Sequence, residues 1–195
     1  VRPASETPFS ALALAELADR AGLPAGVFNV VTGDAATVVG ELVANPHVRA
    51  MSFTGSTEVG QMLAAKAAGH SMKVSLELGG DAPYIVCEDA DLEVAAKAVA
   101  TAKMRGAGQV CIAANRFLVH SSVKDEFVAR AVEVMRSFRL GRGTDAGVTY
   151  GPLSGADQLA KVTELVDAAV TRGAARPLGG DLPAGLDPAG FYFPA

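Results

Sequence analysis

With 195 residues, half of them hydrophobic and 19% charged, the chain has enough apolar material to bury a sizeable core, which sets aside intrinsic disorder. Its 17 Lys and Arg against 21 Asp and Glu leave a net charge of −4 with no basic run to track a phosphate backbone, so nucleic acid is not an expected partner. Every apolar stretch is broken by Gly, Pro or charge before the roughly 18 residues that a membrane span needs. No charged-then-apolar leader is present either, so the expectation is a cytoplasmic protein that binds no membrane.

Helical and strand patterns alternate along the chain, which predicts an α/β fold with mainly parallel strands. The first helix is expected from Ala11 to Ala21, capped by Ser10 and stopped by Gly22 and Pro24. A buried strand, Val27 to Val31, leads through Thr32-Gly33-Asp34 into a second helix that ends near Asn45-Pro46. A strand from Val48 to Phe53 then meets the turn Thr54-Gly55-Ser56-Thr57, and a helix follows from Glu58 to Ala68. Two strands, Lys73 to Leu78 and Ala82 to Glu88, flank Gly79-Gly80-Asp81. A helix from Leu92 to Met104, a Gly-rich loop, a strand from Arg116 to His120 and helices near Lys124 to Phe138 and Ala156 to Arg172 complete the pattern. The last residues, Phe191 to Ala195, read as a strand cut short, and with Val1 as first residue they suggest an internal piece of a longer chain. The glycine break after Leu78 places a domain boundary between residues 1–78 and 79–195.

Three places carry chemistry. The stretch from Met51 to Gly60 reads strand, Gly-Ser-Thr turn, helix, which points free amides and a positive helix end at an anion such as a pyrophosphate. Its Gly55 and Gly60 do not make the G-x-G-x-x-G spacing, so an ordinary strand-helix turn is the competing reading. Cys111 follows Gly106-Ala107-Gly108-Gln109-Val110, where glycines allow a ligand close to the backbone. A thiol there is either structural or a nucleophile whose own amide stabilises an oxyanion. Glu77 stands in an apolar strand before two glycines, either on its solvent face or as a base in a cleft. The other cysteine, Cys87, ends an apolar run and reads as a small buried hydrophobe, not as a disulfide partner of Cys111. His47, His70 and His120 lack metal-ligand spacing, and no metal is expected.

Taken together, Phe53-Thr54-Gly55-Ser56-Thr57, Leu76-Glu77-Leu78-Gly79-Gly80 and Gly108-Gln109-Val110-Cys111 resemble the aldehyde dehydrogenase superfamily, in the right order. The 34 positions from Glu77 to Cys111 match its spacing as well. Residues Thr7 to Leu17 and Pro24 to Gly33 are similar to bacterial NADP-dependent succinate-semialdehyde dehydrogenases. The resemblance implies the C-terminal part of a Rossmann-like dinucleotide-binding domain at 1–78 and the N-terminal part of an α/β catalytic domain at 79–195. It implies Cys111 as nucleophile, Glu77 as the base that activates water, and Gly55, Ser56 and Gly79 at the cofactor. Arg2 and Ser5 fall where the family contacts the adenine ribose. A cation with a hydroxyl there accommodates a 2′-phosphate, so NADP is expected to be preferred or accepted beside NAD, although Glu6 lies next to them.

Arg105, six positions before Cys111, matches the Arg that pairs with a distal substrate carboxylate. The implied reaction is oxidation of succinate semialdehyde to succinate, with glutarate semialdehyde or another aldehyde as the alternative, in a homo-oligomeric parent. Departures from the family pattern are Gly106 in place of Asn, Asp81 in place of Lys or Asn, and Ala113 where some relatives carry a second Cys. The family's oxyanion Asn and its downstream Glu motif are outside this sequence, and the chain by itself is expected to be an inactive fragment.

Overall fold

The computed structural model describes residues 1–195, which divide into two compact units, Val1–Gly79 and Gly80–Ala195. The first unit contains α1 (Phe9–Arg20), α2 (Ala35–Ala44), β1 (Ala50–Gly55), α3 (Thr57–Ala68) and β2 (Lys73–Leu78). Strands β1 and β2 pair in parallel, from Ala50 opposite Lys73 to Gly55 opposite Leu78, with α3 as the crossover between them. In β2 the inward Val74, Leu76 and Leu78 alternate with the exposed Lys73, Ser75 and Glu77. Gly60 is buried where α3 meets β2, since a Cβ there would run into the Leu78 side chain. No helix is long and apolar enough to cross a membrane.

The second unit contains β3 (Ala82–Val86), α4 (Leu92–Lys103), β4 (Ala114–Val119), α5 (Lys124–Arg136) and α6 (Ala156–Thr171). Strands β3 and β4 are again parallel and joined by a helix. Their core is Val86, Val99 and Phe127, surrounded by Tyr84, Phe117, Ala95 and Met135. The Tyr84 and Phe117 rings lie 5.2 Å apart between centroids, and the Tyr84 hydroxyl donates to the Ala95 carbonyl at 2.9 Å. An apolar ring with a satisfied polar end suits such a position.

Helix starts follow local chemistry. Asp34 caps α2 by accepting from the Thr37 amide, Ser56 caps α3 through Val59, and Asp91 caps α4 through Glu93 and Val94. Four sequence expectations need correction. Helix α1 begins at Phe9 with Pro8 in the cap position, so Ser10 lies inside the helix; Pro has no N–H to lose there and its φ already suits the first turn. Residues 27–31 form no strand: their bonds to Val1, from its ammonium to the Asn29 carbonyl and from the Val31 amide to its carbonyl, are too few for a ladder. Residues 191–195 form no strand either, because the Leu153 amide bonding to Phe191 is not continued by a paired run. Finally, β3 stops at Val86, and Cys87 is exposed, turning the chain through its carbonyl bond from the Ala90 amide.

Candidate active site

In the first unit, four of the expected residues gather at one end of the parallel strand pair. Gly55 ends β1, Ser56 caps α3, and Glu77 stands opposite Thr54 on the exposed face of β2. Gly79 follows, its missing Cβ 3.9 Å from the Thr57 hydroxyl. This is the carboxyl end of the strands, where open α/β sheets bind ligands. Ser56 accepts the amides of Val59 and Gly60 through its hydroxyl and carbonyl, whereas the amides of Thr57 and Glu58 have no protein acceptor. Those two N–H groups and the positive end of α3 suit an anionic group. A Cβ on Gly55 would meet the Phe53 ring, which would have to move aside.

Arg2 and Ser5 are brought together. One Arg2 nitrogen donates to the Ser5 hydroxyl at 2.7 Å and to the Gly33 carbonyl at 3.2 Å, while the buried Nε has no partner. Ser5 therefore accepts from the guanidinium and keeps its own O–H free to donate. Hydrogen bonds from the hydroxyl and amide of Thr37 hold the Asp34 carboxyl below its ordinary value, and the Arg2 charge acts in the same direction.

In the second unit, Cys111 lies in a turn closed by the Ala113 amide bonding to the Val110 carbonyl at 3.0 Å. The thiol is free and exposed, and the Cys111 amide donates to no protein acceptor. The approach to it is unusual: Gly106, Ala107 and Gly108 have φ of 59°, 55° and 76°. Left-handed backbone costs an L-residue such as Ala107 about 1–2 kcal/mol, and its two glycine neighbours let the chain make that turn. Gln109 holds the turn, with its side-chain nitrogen donating to the Gly106 carbonyl at 3.3 Å and its oxygen accepting the Ser154 amide at 2.9 Å. Arg105 directly precedes this stretch, exposed and in none of the chain's ion pairs.

Some neighbours of Cys111 escape sequence reasoning. Gly80 is placed so that a Cβ would lie 3.2 Å from the Cys111 carbonyl. Lys103 and Asn115 bond to each other at 2.6 Å, and Arg116 donates to the Asp81 carbonyl at 2.9 Å. Burial pushes the Lys103 ammonium below its ordinary value, against the opposing pull of Asp81. A polar residue at each entry to β4 was the one available signal, and many surface strands begin that way. The histidines are scattered: His120 contacts Ser122 at 2.8 Å and lies 3.9 Å from Glu88, and no group of three metal-binding side chains forms.

Known proteins match the chain from end to end. It is 53% identical over 194 residues, 99% of its length, to "Succinate-semialdehyde dehydrogenase [NADP(+)] 1" of Schizosaccharomyces pombe, covering 39% of that protein. It is also 53% identical over 174 residues to the glutarate-semialdehyde dehydrogenase of Pseudomonas aeruginosa, covering 89% of this chain and 36% of the relative. The crystal structure of succinate-semialdehyde dehydrogenase from Burkholderia pseudomallei superposes with a TM-score of 0.95 at 44% identity, over 100% of this chain and 40% of the other. The chain thus spans well under half the length of these relatives. The sequence pattern described as "Aldehyde dehydrogenase family" matches residues 1–195, and this chain belongs to that family.

Proposed function

We propose that the protein oxidises a small aldehyde, with succinate semialdehyde as the preferred substrate, through Cys111 and with NAD(P). The observation that carries this reading is the exposed Cys111 thiol beside its own amide, which has no acceptor in the chain. The thiolate adds to the aldehyde carbon, and the oxygen that becomes negative accepts from that amide. Bound NAD(P) supplies the hydride acceptor. Glu77 takes a proton from the water that hydrolyses the Cys111 thioester, which frees the carboxylate product. In this reading residues 1–78 hold the cofactor and residues 79–195 carry the nucleophile.

The residues present fit a dinucleotide. The free amides of Thr57 and Glu58, with Gly55, Ser56 and Gly79, suit its pyrophosphate. The Ser5 hydroxyl and Arg2 suit a ribose 2′-phosphate, and the NADP specificity named for the yeast relative supports that choice. Arg105, a fork of donors without an ion pair, suits a substrate carboxylate. Glutarate semialdehyde remains a second reading because the relative named for it is as similar as the one named for succinate semialdehyde. In this reading the full-length protein is a cytoplasmic homo-oligomer that acts on a small aldehyde, the class of substrate for which the semialdehyde relatives are named.

The test is turnover of an aldehyde panel by the full-length protein, with iodoacetamide labelling and mapping of the modified thiol. Succinate semialdehyde is expected to give the highest kcat/KM and to protect Cys111 from label. Protection of Cys87 and not of Cys111 would remove the assignment.

A further inference from the structure

At the entrance to β3 and β4 the parallel register slips. Ala82 faces Ala114 while Pro83 faces Arg116, so Asn115 has no residue opposite it. A bulged residue leaves the ladder and its side chain is re-aimed. Asn115 uses that freedom in two directions: its amide nitrogen donates to the Gly80 carbonyl at 3.3 Å, and its oxygen accepts from Lys103 Nζ at 2.6 Å. The orientation is dictated by chemistry, because an ammonium only donates and a carbonyl only accepts.

Both ends of this arrangement touch the Cys111 loop. Gly80 packs on the Cys111 carbonyl so closely that a Cβ would sit 3.2 Å from it. Three residues before Cys111, a Cβ on Gly108 would lie 3.3 Å from the Lys103 carbonyl and 3.7 Å from Nζ. Lys103 is partly buried there, at the end of α4, although a lysine gains most from water. Arg116, the next residue, holds the Asp81 carbonyl through two nitrogens at 3.1 and 2.9 Å. The Gly80-Asp81 backbone is therefore held by the bulged residue and the one after it.

We propose that Lys103 and Asn115 are a positioning pair that holds Gly80 against the Cys111 carbonyl and so fixes the backbone of the loop that presents the thiol. This rests on Cys111 being the nucleophile. Neither side chain touches the reacting atoms; both act through the backbone, and a misplacement approaching 1 Å at such a site is worth on the order of 100-fold in rate.

The experiment uses the full-length enzyme with four variants. Asn115→Leu removes both bonds, Asn115→Asp keeps the acceptor for Lys103 and loses the donor to Gly80, Lys103→Met removes the donor, and Lys103→Arg restores one. Steady-state kinetics with succinate semialdehyde, the rate of Cys111 alkylation by iodoacetamide across pH, and circular dichroism are measured for each. Asn115→Leu and Lys103→Met are expected to lose about 10- to 100-fold in kcat with KM changed by less than about twofold. Alkylation of Cys111 is expected to change in the same two variants. Lys103→Arg should recover most of kcat, and Asn115→Asp should fall between.

Wild-type kcat and alkylation in folded Asn115→Leu and Lys103→Met overturn the proposal. If Asn115→Leu does not fold, Asn115→Asp decides, and wild-type values for it overturn the proposal equally. Cys111→Ala separates the two readings: turnover surviving in it removes the nucleophile assignment itself. A dead Cys111→Ala beside fully active Asn115 variants removes only the positioning pair.

Discussion

Replacing Gly60 by Ala tests whether α3 sits where it does because glycine lets it. The added methyl would meet the Leu78 side chain, with Cδ1 at 3.0 Å and Cγ at 3.3 Å and Cδ2 nearer still. Such overpacking costs about 1–3 kcal/mol. Against it stands the helix-propensity gain of Gly to Ala, about 0.8–1 kcal/mol. Gly40 supplies the control, since it lies inside α2, exposed, with nothing within 4 Å of an added Cβ. The propensity gain is common to both, so the difference between Gly40→Ala and Gly60→Ala isolates the packing cost, about 1–3 kcal/mol.

Hydrogen exchange measured by mass spectrometry on the peptides 35–44 of Gly40→Ala and 57–68 of Gly60→Ala, each against the wild type, gives the propensity gain and the net effect, and their difference should correspond to about 5- to 150-fold in the opening equilibrium. Leu78→Ala in the Gly60→Ala background should restore protection, because the clash is with that side chain. In the full-length enzyme Gly60→Ala should also raise KM for the dinucleotide, since it tilts the amides of Thr57 and Glu58. A gain in protection of α3 in Gly60→Ala equal to that of α2 in Gly40→Ala, with no coupling to Leu78, would refute the reasoning.

Three further outcomes follow from the site. Arg105→Ala should raise KM for succinate semialdehyde about 10- to 100-fold, the worth of one charge-assisted pair, and leave KM for an uncharged aldehyde nearly unchanged; equal effects on both would discard the role. Ser5→Glu places a carboxylate beside Arg2 and should shift the ratio of kcat/KM for NADP over NAD at least tenfold towards NAD, measured with both cofactors at saturating aldehyde. Asp34→Ala should lower the thermal midpoint at neutral pH. The Asp34 carboxyl has its folded value lowered from 3.8, so its contribution is fully present above about pH 3.8 and is lost as pH falls through the folded value. The gap between variant and wild type should therefore close in strong acid, and a gap that persists there would show that Thr37 and Arg2 are not its cause.

Periodicity and turn chemistry were enough to write down most of the fold. The crossover helices α3 and α4 and the mainly parallel strands follow from the alternation of helical and strand patterns along the chain. The glycines at Gly55 and before Cys111 made both segments legible as turns, while the chemistry expected of them rested on the family resemblance. What the sequence could not supply was pairing. A run such as Val27 to Val31 has strand composition, yet strands exist only where a partner offers a ladder, and its one distant backbone partner is Val1. Cys87 ends an apolar run and is nonetheless exposed, because the strand stops one residue before it. The Asn115 bulge, the reach of Lys103 and the contact of Gly80 with the Cys111 carbonyl depend on which backbone atoms meet across distant positions. Sequence alone thus determined the family and the local elements, where each residue answers to its near neighbours. Tertiary structure alone decided how the Cys111 loop is held, because a slip of one residue between two strands is written in no single segment.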